Sequence, residues 1–312
     1  MSDYLDRSGR DDALSGGVRM VPVTTPVGDF RVWTKRTGNN PSLKLLLLHG
    51  GPGATHEYFL GFDAFLPAAG VEYYYYDQLG SGWSDRPDDP SLWDVDRFVD
   101  EVEQVRIGLG LDDFYLLGQS WGGILGIEYA LAHPEHLSGL VISNMMASIP
   151  AYNRYAEEVL VPGLDPDKVA RIKQHEAAGT TDDPEYEELL MSEHYVKHVL
   201  RMPVESWPEP VSRSFSRINP DIYVPMQGPS ELGASGALVD WDRFDDLARI
   251  DLPTLVIGGA HDTMDPAHLR AMAEQLPQGE YLHCPEGSHL SMYDDQETYM
   301  AGLVGWLHRQ SG

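Results

Sequence analysis

The sequence predicts an α/β fold: a mostly parallel sheet with helices on both faces and a helical insertion past its middle. Three observations lead there. Short apolar runs recur along the 312 residues with amphipathic stretches between most of them. These runs are apolar at nearly every position rather than at every second one, as strands covered on both faces must be. Between about Ser148 and Gly236 the alternation stops, and helical segments follow one another without strands.

Taken in order, VRMVPV and DFRVWTK flank the turn Pro26-Val27-Gly28-Asp29 and predict an antiparallel hairpin at the sheet edge. LKLLLLHG (43–50) and EYYYYD (72–77) are the next strands. Trp93 to Leu109 carries apolar residues at helical spacing; the strand DFYLLG (113–118), a helix over Ile124 to His133 and the strand LSGLVIS (137–143) follow. In the insertion, Asp165-Pro166 and Asp183-Pro184 each set a capping residue and a first-turn proline ahead of a helical run. Pro203, Pro208 and Pro210 then break the chain into a loop, and MQGPSELGASG (226–236) leads back to the sheet. PTLVIGG (253–259), a helix capped by Asp265, EYLHCP (280–285) and a closing helix opened by an Asp294/Glu297 capping box complete the pattern. The expected division is a core domain of 1–147 and 237–312 and a helical cap of 148–236.

Composition excludes several functions. With 22 basic and 49 acidic residues the formal charge is −27, which repels nucleic acid and anionic membranes. No apolar run reaches the roughly 18 residues of a membrane span, and MSDYLDRSGRDD lacks the basic and apolar regions of a leader, so a cytoplasmic protein is expected. The lone cysteine, Cys284, allows neither an internal disulfide nor a CxxC metal motif and reads as strand packing. His194 and His198 stand four apart on a helix but lack the HExxH pattern and a ligand cluster, so no metal is expected.

The chemistry is carried by GQSWGG (118–123), set between a strand and a helix. Gly-x-Ser-x-Gly in that context is a nucleophile elbow, in which the serine takes strained backbone angles and its neighbours must be small; this makes the fold an α/β-hydrolase. A serine hydroxyl needs a base to take its proton and an acid to orient that base. In the elbow's chain order both follow the serine. Asp262 stands in the loop after PTLVIGG and His289 in the loop after EYLHCP, whereas His283 lies within the strand and Asp265 serves as a helix cap. The catalytic set is therefore Ser120, Asp262 and His289.

LLLLHGGPG (45–53) ends a strand in three glycines and a proline. A phosphate loop would need a lysine after the last glycine, and none occurs between Lys44 and Lys168. A dinucleotide fingerprint would need glycine where His56 stands, and would leave the triad without a purpose. The remaining use for bare backbone here is an oxyanion hole, with one N–H from Gly51 and the other from Trp121, the residue after the nucleophile. Pro52 has no N–H and serves to fix φ beside Gly51.

With HGGPG, DQLGSGWSD (77–85), GQSWGG, GPSELGASGALVDWD (228–242) and GAHDTMDP (259–266) in this order, nearly the whole chain resembles the prolyl aminopeptidases, or proline iminopeptidases. GPSEL and the tail GSHLSMYDD bring it near the tricorn-interacting aminopeptidase branch. The resemblance implies a cofactor-free exopeptidase that releases an N-terminal residue, often proline, from short peptides or amino-acid amides. It also implies that Glu231, the glutamate of GPxE, binds the substrate's ammonium group. The chain departs from the pattern at Thr263, where relatives carry a second glutamate, and Glu157 or Glu158 of the cap are candidates to replace it. Two alternatives stand beside this reading: an amidase or esterase indifferent to a free amine, and a ligand-binding homologue without turnover.

Overall fold

A computed structural model describes residues 17–312; the MSDYLDRSGRDD stretch considered above lies outside them. Eight strands form one sheet in the order β1-β2-β4-β3-β5-β6-β7-β8. β1 (Val18–Thr25) and β2 (Gly28–Thr37) are the expected edge hairpin, and β2 also runs antiparallel to β4 (Glu72–Tyr76). β3 (Lys44–Leu48), β5 (Phe114–Gln119), β6 (Leu137–Ser143), β7 (Thr254–Gly259) and β8 (Gly279–Cys284) are parallel to β4 and to one another.

The continuous apolar runs have their physical cause in this sheet. Along β3, Leu46 and Leu48 enter one hydrophobic layer while Leu45 and Leu47 enter the other; Leu116 and Leu117 of β5 and Val256 and Ile257 of β7 divide in the same way. The first layer is closed by α1 (Val95–Leu109), α2 (Trp121–Ala132) and residues further along such as Leu269; the second by the 3₁₀ segment His56–Ala64 and the closing helix, through residues such as Phe59, Phe62, Leu303 and Trp306. Each such leucine contributes about 1.5–3 kcal/mol by leaving water. α1 starts where Asp94 accepts the amides of Asp96 and Arg97 and stops at the left-handed Gly110.

From Ile149 to Met226 the named elements are all helical: α3 (Ile149–Tyr155), α4 (Pro166–Ala178), α5 (Pro184–Leu190), α6 (Glu209–Phe215) and α7 (Pro220–Met226), with π-type turns at Ala156–Leu160 and Met191–Val199. Asp165 and Asp183 cap α4 and α5 as expected. The proline cluster acts differently from expectation: Pro208 and Pro210 open α6 rather than a loop, because a first-turn residue needs no N–H donor. α8 (Pro266–Gln275) is capped by Asp265, and α9 (Ser291–Asp294) and α10 (Gln296–Ser311) close the chain. The expected capping box is absent. α9 ends at Asp294 and turns its carboxylate back to accept the amides of Ser288 and Arg201, so α10 begins without a side-chain cap.

Because parallel strands point the same way, β3, β5, β6, β7 and β8 deliver Gly50, Ser120, Asn144, Asp262 and His289 to one edge of the sheet. Among the described residues no helix is long and apolar enough to cross a membrane.

Candidate active site

Ser120 joins β5 to α2 with φ 55° and ψ −128°, a conformation costly for a residue with a Cβ. The elbow's glycines make it possible. A Cβ on Gly118 would stand 1.9 Å from Gly122 O, one on Gly122 2.1 Å from Leu48 O, and one on Gly123 2.7 Å from Met145 Cβ. The turn is pinned by Ser120 N–H donating to Ser143 O at 3.0 Å and Gly123 N–H to Ser120 O at 2.6 Å.

His289 donates from Nδ1 to Asp262 Oδ1 at 2.9 Å, and its Nε2 is buried without a hydrogen-bond partner. With Nδ1 protonated, Nε2 carries the free lone pair of a base. Burial disfavours the charged imidazole, but the Asp262 carboxylate, by charge and hydrogen bond, together with the charges of Glu231 and Asp294, outweighs it and holds His289 above its ordinary value. Asp262 is fully buried and its other oxygen accepts Asn144 Nδ2 at 2.6 Å; Met264 N–H donates to Oδ1 at 3.1 Å. Asn144 follows β6 directly with φ 51°, and its place at a strand's carboxyl end was the one signal that could have marked it.

Thr263 does not face the substrate space. It is buried beside the pair, its Oγ1 3.1 Å from His289 Nδ1 and donating to Asp262 Oδ1 at 3.3 Å. Glu157 and Glu158 are exposed and line no part of the cavity that holds Ser120, so neither substitutes for a glutamate at position 263.

That cavity encloses about 610 Å³ and is lined by Gly50, Gly51, Ser120 and His289 at its base, by Glu231 and Tyr223, and by residues of the helical stretch between β6 and β7 such as Trp207 and Phe215. The volume suits a small organic ligand. Gly51 has φ +109°, and a Cβ there would lie 2.7 Å from Ala54 N; the Gly51–Pro52 bond is cis. Gly50 packs so closely on the elbow that a Cβ would meet Ser120 Cβ at 3.0 Å. Its N–H donates to Tyr58 Oη at 2.6 Å, Tyr58 in turn donates to Gln119 Oε1 at 2.9 Å, and Gln119 Nε2 donates to His289 O at 3.0 Å. Trp121 occupies the first position of α2, where helix N–H groups are unclaimed by the helix itself, while its indole turns away to donate to Gln78 Oε1 at 2.8 Å.

Glu231 is half-buried on the cavity wall. Tyr223 Oη donates to its Oε1 at 2.6 Å, which leaves Oε2 open to another donor, and its backbone oxygen accepts Tyr152 Oη at 2.6 Å and His194 Nε2 at 3.0 Å. Burial, and after it the Glu231 charge, pushes the hydroxyls of Tyr152, Tyr195 and Tyr223 above the usual phenol range, so they stay protonated donors. His194 and His198 are thus used on backbone: His194 on Glu231, and His198 through Nδ1 on His261 O at 3.0 Å, while His198 O accepts the amide of His289 at 2.9 Å. No group of three metal-type side chains occurs among the described residues. The tyrosines and histidines around Glu231 had no sequence signal, since they are scattered over three helical segments.

Comparison with known proteins bears on the fold and the family. A family model described as alpha/beta hydrolase fold matches residues 44–296. A proline iminopeptidase of Flavobacterium johnsoniae is 49% identical over 291 residues, covering 93% of this chain and 97% of that protein. Among solved structures, VinJ superposes with a TM-score of 0.85 at 34% identity, covering 93% of this chain and 98% of that one. A proline iminopeptidase of Mycobacterium smegmatis gives 0.81 at 32% identity, with the same coverage of both chains.

Proposed function

Since the chain belongs to the prolyl aminopeptidase family of α/β-hydrolases, we propose that it is a serine aminopeptidase that releases an N-terminal residue, with proline preferred, from short peptides or amino-acid amides. Ser120 Oγ attacks the carbonyl carbon of that residue as His289 Nε2 takes the hydroxyl proton. The oxyanion is received by the N–H groups of Gly51 and Trp121. His289 then hands the proton to the leaving amine, the C–N bond breaks, and an acyl-enzyme remains on Ser120. Water, deprotonated by the same imidazole, attacks the ester and frees the amino acid. Asp262 keeps the proton of His289 on Nδ1 throughout. Glu231 binds the substrate's ammonium group and so measures one residue from the chain end to Ser120. The helical segment 148–236 forms a cap that closes the space over the strand ends, and the enzyme acts in the cytoplasm.

The observation that carries the exopeptidase reading is the Glu231 carboxylate, held by Tyr223 with one oxygen open, in the same cavity as Ser120 and the unpartnered Nε2 of His289. The test is a panel of prolyl, alanyl and leucyl anilides, each with a free and an N-acetylated amine, run on wild type and Ser120→Ala. Hydrolysis of the free prolyl compound, a much lower but measurable rate on acetylation and loss in the variant are the expected results. Equal turnover of free and acetylated compounds would make the protein an amidase indifferent to the amine. Activity surviving in Ser120→Ala would remove Ser120 as nucleophile.

A further inference from the structure

His49 and Gln78 are fully buried polar side chains outside the cavity, and no chemical step above uses them. Their hydrogen bonds form one connected set. Gln78 N–H donates to His49 Nε2 at 3.1 Å, so that nitrogen is the acceptor, and Nδ1 must carry the proton that is shared with Gly50 O at 2.9 Å. Gln78 Nε2 donates to His49 O at 2.9 Å, and Gln78 Oε1 accepts the Trp121 indole N–H at 2.8 Å. Burial depresses the imidazole to about 4, which keeps it in this neutral tautomer.

From this we infer that His49 and Gln78 are a positioning pair for the oxyanion hole, joining the Gly50–Gly51 peptide to Trp121 through side-chain hydrogen bonds. The inference rests on Ser120 being an acyl-transfer nucleophile. Its core is peptide geometry: the Gly50–Gly51 bond is trans, so Gly50 C=O and Gly51 N–H lie in one plane and point in opposite directions. A donor fixed on Gly50 O therefore fixes where the Gly51 N–H points. Gly51, at φ +109° and without a Cβ, has no side chain to hold that plane itself. Gly50 is held at its other end by Tyr58 Oη, so both peptide planes flanking it are fixed. On the opposite side of the hole, Gln78 and Phe98, whose ring centroid lies 5.4 Å from that of Trp121 at a steep interplanar angle of 74°, hold the residue whose amide is the second donor. Preorganised donors act because they need not reorient as the oxyanion forms; loosening them lowers kcat without weakening ground-state binding.

The test compares His49→Phe, His49→Asn and Gln78→Met with wild type on prolyl anilide. The readouts are kcat, KM, competitive inhibition by free proline, and inhibition by a prolyl boronic acid, whose tetrahedral adduct places an oxygen in the hole. His49→Phe removes the donor and keeps a ring; it should lower kcat about 10- to 100-fold and weaken the boronate comparably, with KM and proline inhibition moved by less than about twofold. Asn places an N–H close to where Nδ1–H stands, and His49→Asn should recover most of the lost kcat. Gln78→Met should lower kcat about 5- to 20-fold with the same split, and the double variant should lose less than the product of the two. The inference is overturned by wild-type kcat in folded His49→Phe, by equal shifts in all four readouts, or by His49→Asn performing no better than Phe. If His49→Phe does not fold, Gln78→Met and His49→Asn decide by the same split, and a Gln78→Met with unchanged boronate affinity overturns it. Should wild type hydrolyse a simple ester but no prolyl anilide, the aminopeptidase reading fails, and the series on the ester with an alkyl boronic acid still tests the pair. Wild type inactive on both overturns the two together.

Discussion

Replacing Glu231 by glutamine removes one charge from the cavity while keeping shape and a partner for Tyr223. In the proposed reaction the substrate's ammonium group then loses a charged hydrogen bond, worth about 1.5–3 kcal/mol. At 1.36 kcal/mol per tenfold, kcat/KM for a free prolyl anilide should fall by about 10- to 160-fold. The N-acetyl anilide has no ammonium to lose, so its rate should change little. A second consequence concerns pH. His289 must be neutral to take the Ser120 proton, and it is held above its ordinary value of 6.5 by Asp262 and, after it, by the charge of Glu231. Removing that charge makes the imidazole release its proton more readily, so the acid limb of kcat/KM should move to lower pH. The assay is kcat/KM between about pH 5 and 9 on the free and acetylated anilides, with wild type beside Glu231→Gln; for wild type the acid limb should lie above the ordinary imidazole value of about 6.5. Equal losses on both substrates, or an acid limb that stays put or moves upward, would refute the reasoning.

Three further outcomes follow from the packing. In Gly122→Ala the new Cβ would meet Leu48 O at 2.1 Å, and because that is backbone the end of β3 must move; a cost of about 3 kcal/mol or more and a drop in kcat are expected, read by urea unfolding and steady-state assay. Asn144→Ala strips Asp262 Oδ2 of its 2.6 Å partner and puts alanine at φ 51°; stability should fall by about 1.5–3 kcal/mol and kcat with it, measured in the same two ways. Cys284 is fully buried and its thiol is pushed up to about 12, chiefly by burial, so iodoacetamide at pH 8 should leave the native enzyme active and unlabelled, with alkylation appearing only in urea.

Much of this protein is written in local sequence. Strands buried on both faces must be apolar at successive positions, so LKLLLL, EYYYY and TLVIGG announce themselves. A serine in strained backbone must have small neighbours, so GQSWGG marks Ser120, and the order of strands then marks Asp262 and His289. Asp165, Asp183 and Asp265 cap the helices that follow them because a cap acts within three residues of itself. Asp294 shows where such reading stops: it has the local pattern of a cap, yet its carboxylate serves Ser288 and Arg201, which a fold must first bring near it.

What only the tertiary structure decided is what surrounds the reacting groups. Asn144 reaches Asp262 across 118 positions, Gln119 reaches His289 O across 170, and Gln78 reaches Trp121 across 43. No periodicity or short motif encodes a hydrogen bond of that separation, because its partners meet only when parallel strands place their carboxyl ends side by side. The same holds for Thr263, which no short motif places at the site and which by structure touches the Asp262–His289 pair. The sequence by itself determined the sheet and the elbow and pointed to Ser120, Asp262 and His289, since each depends on residues adjacent in the chain or on strand order. The supports of Asp262, the setting of Glu231 and the fixing of the Gly50–Gly51 peptide were decided in three dimensions, by buried donors and acceptors that had to find partners wherever the fold brought them.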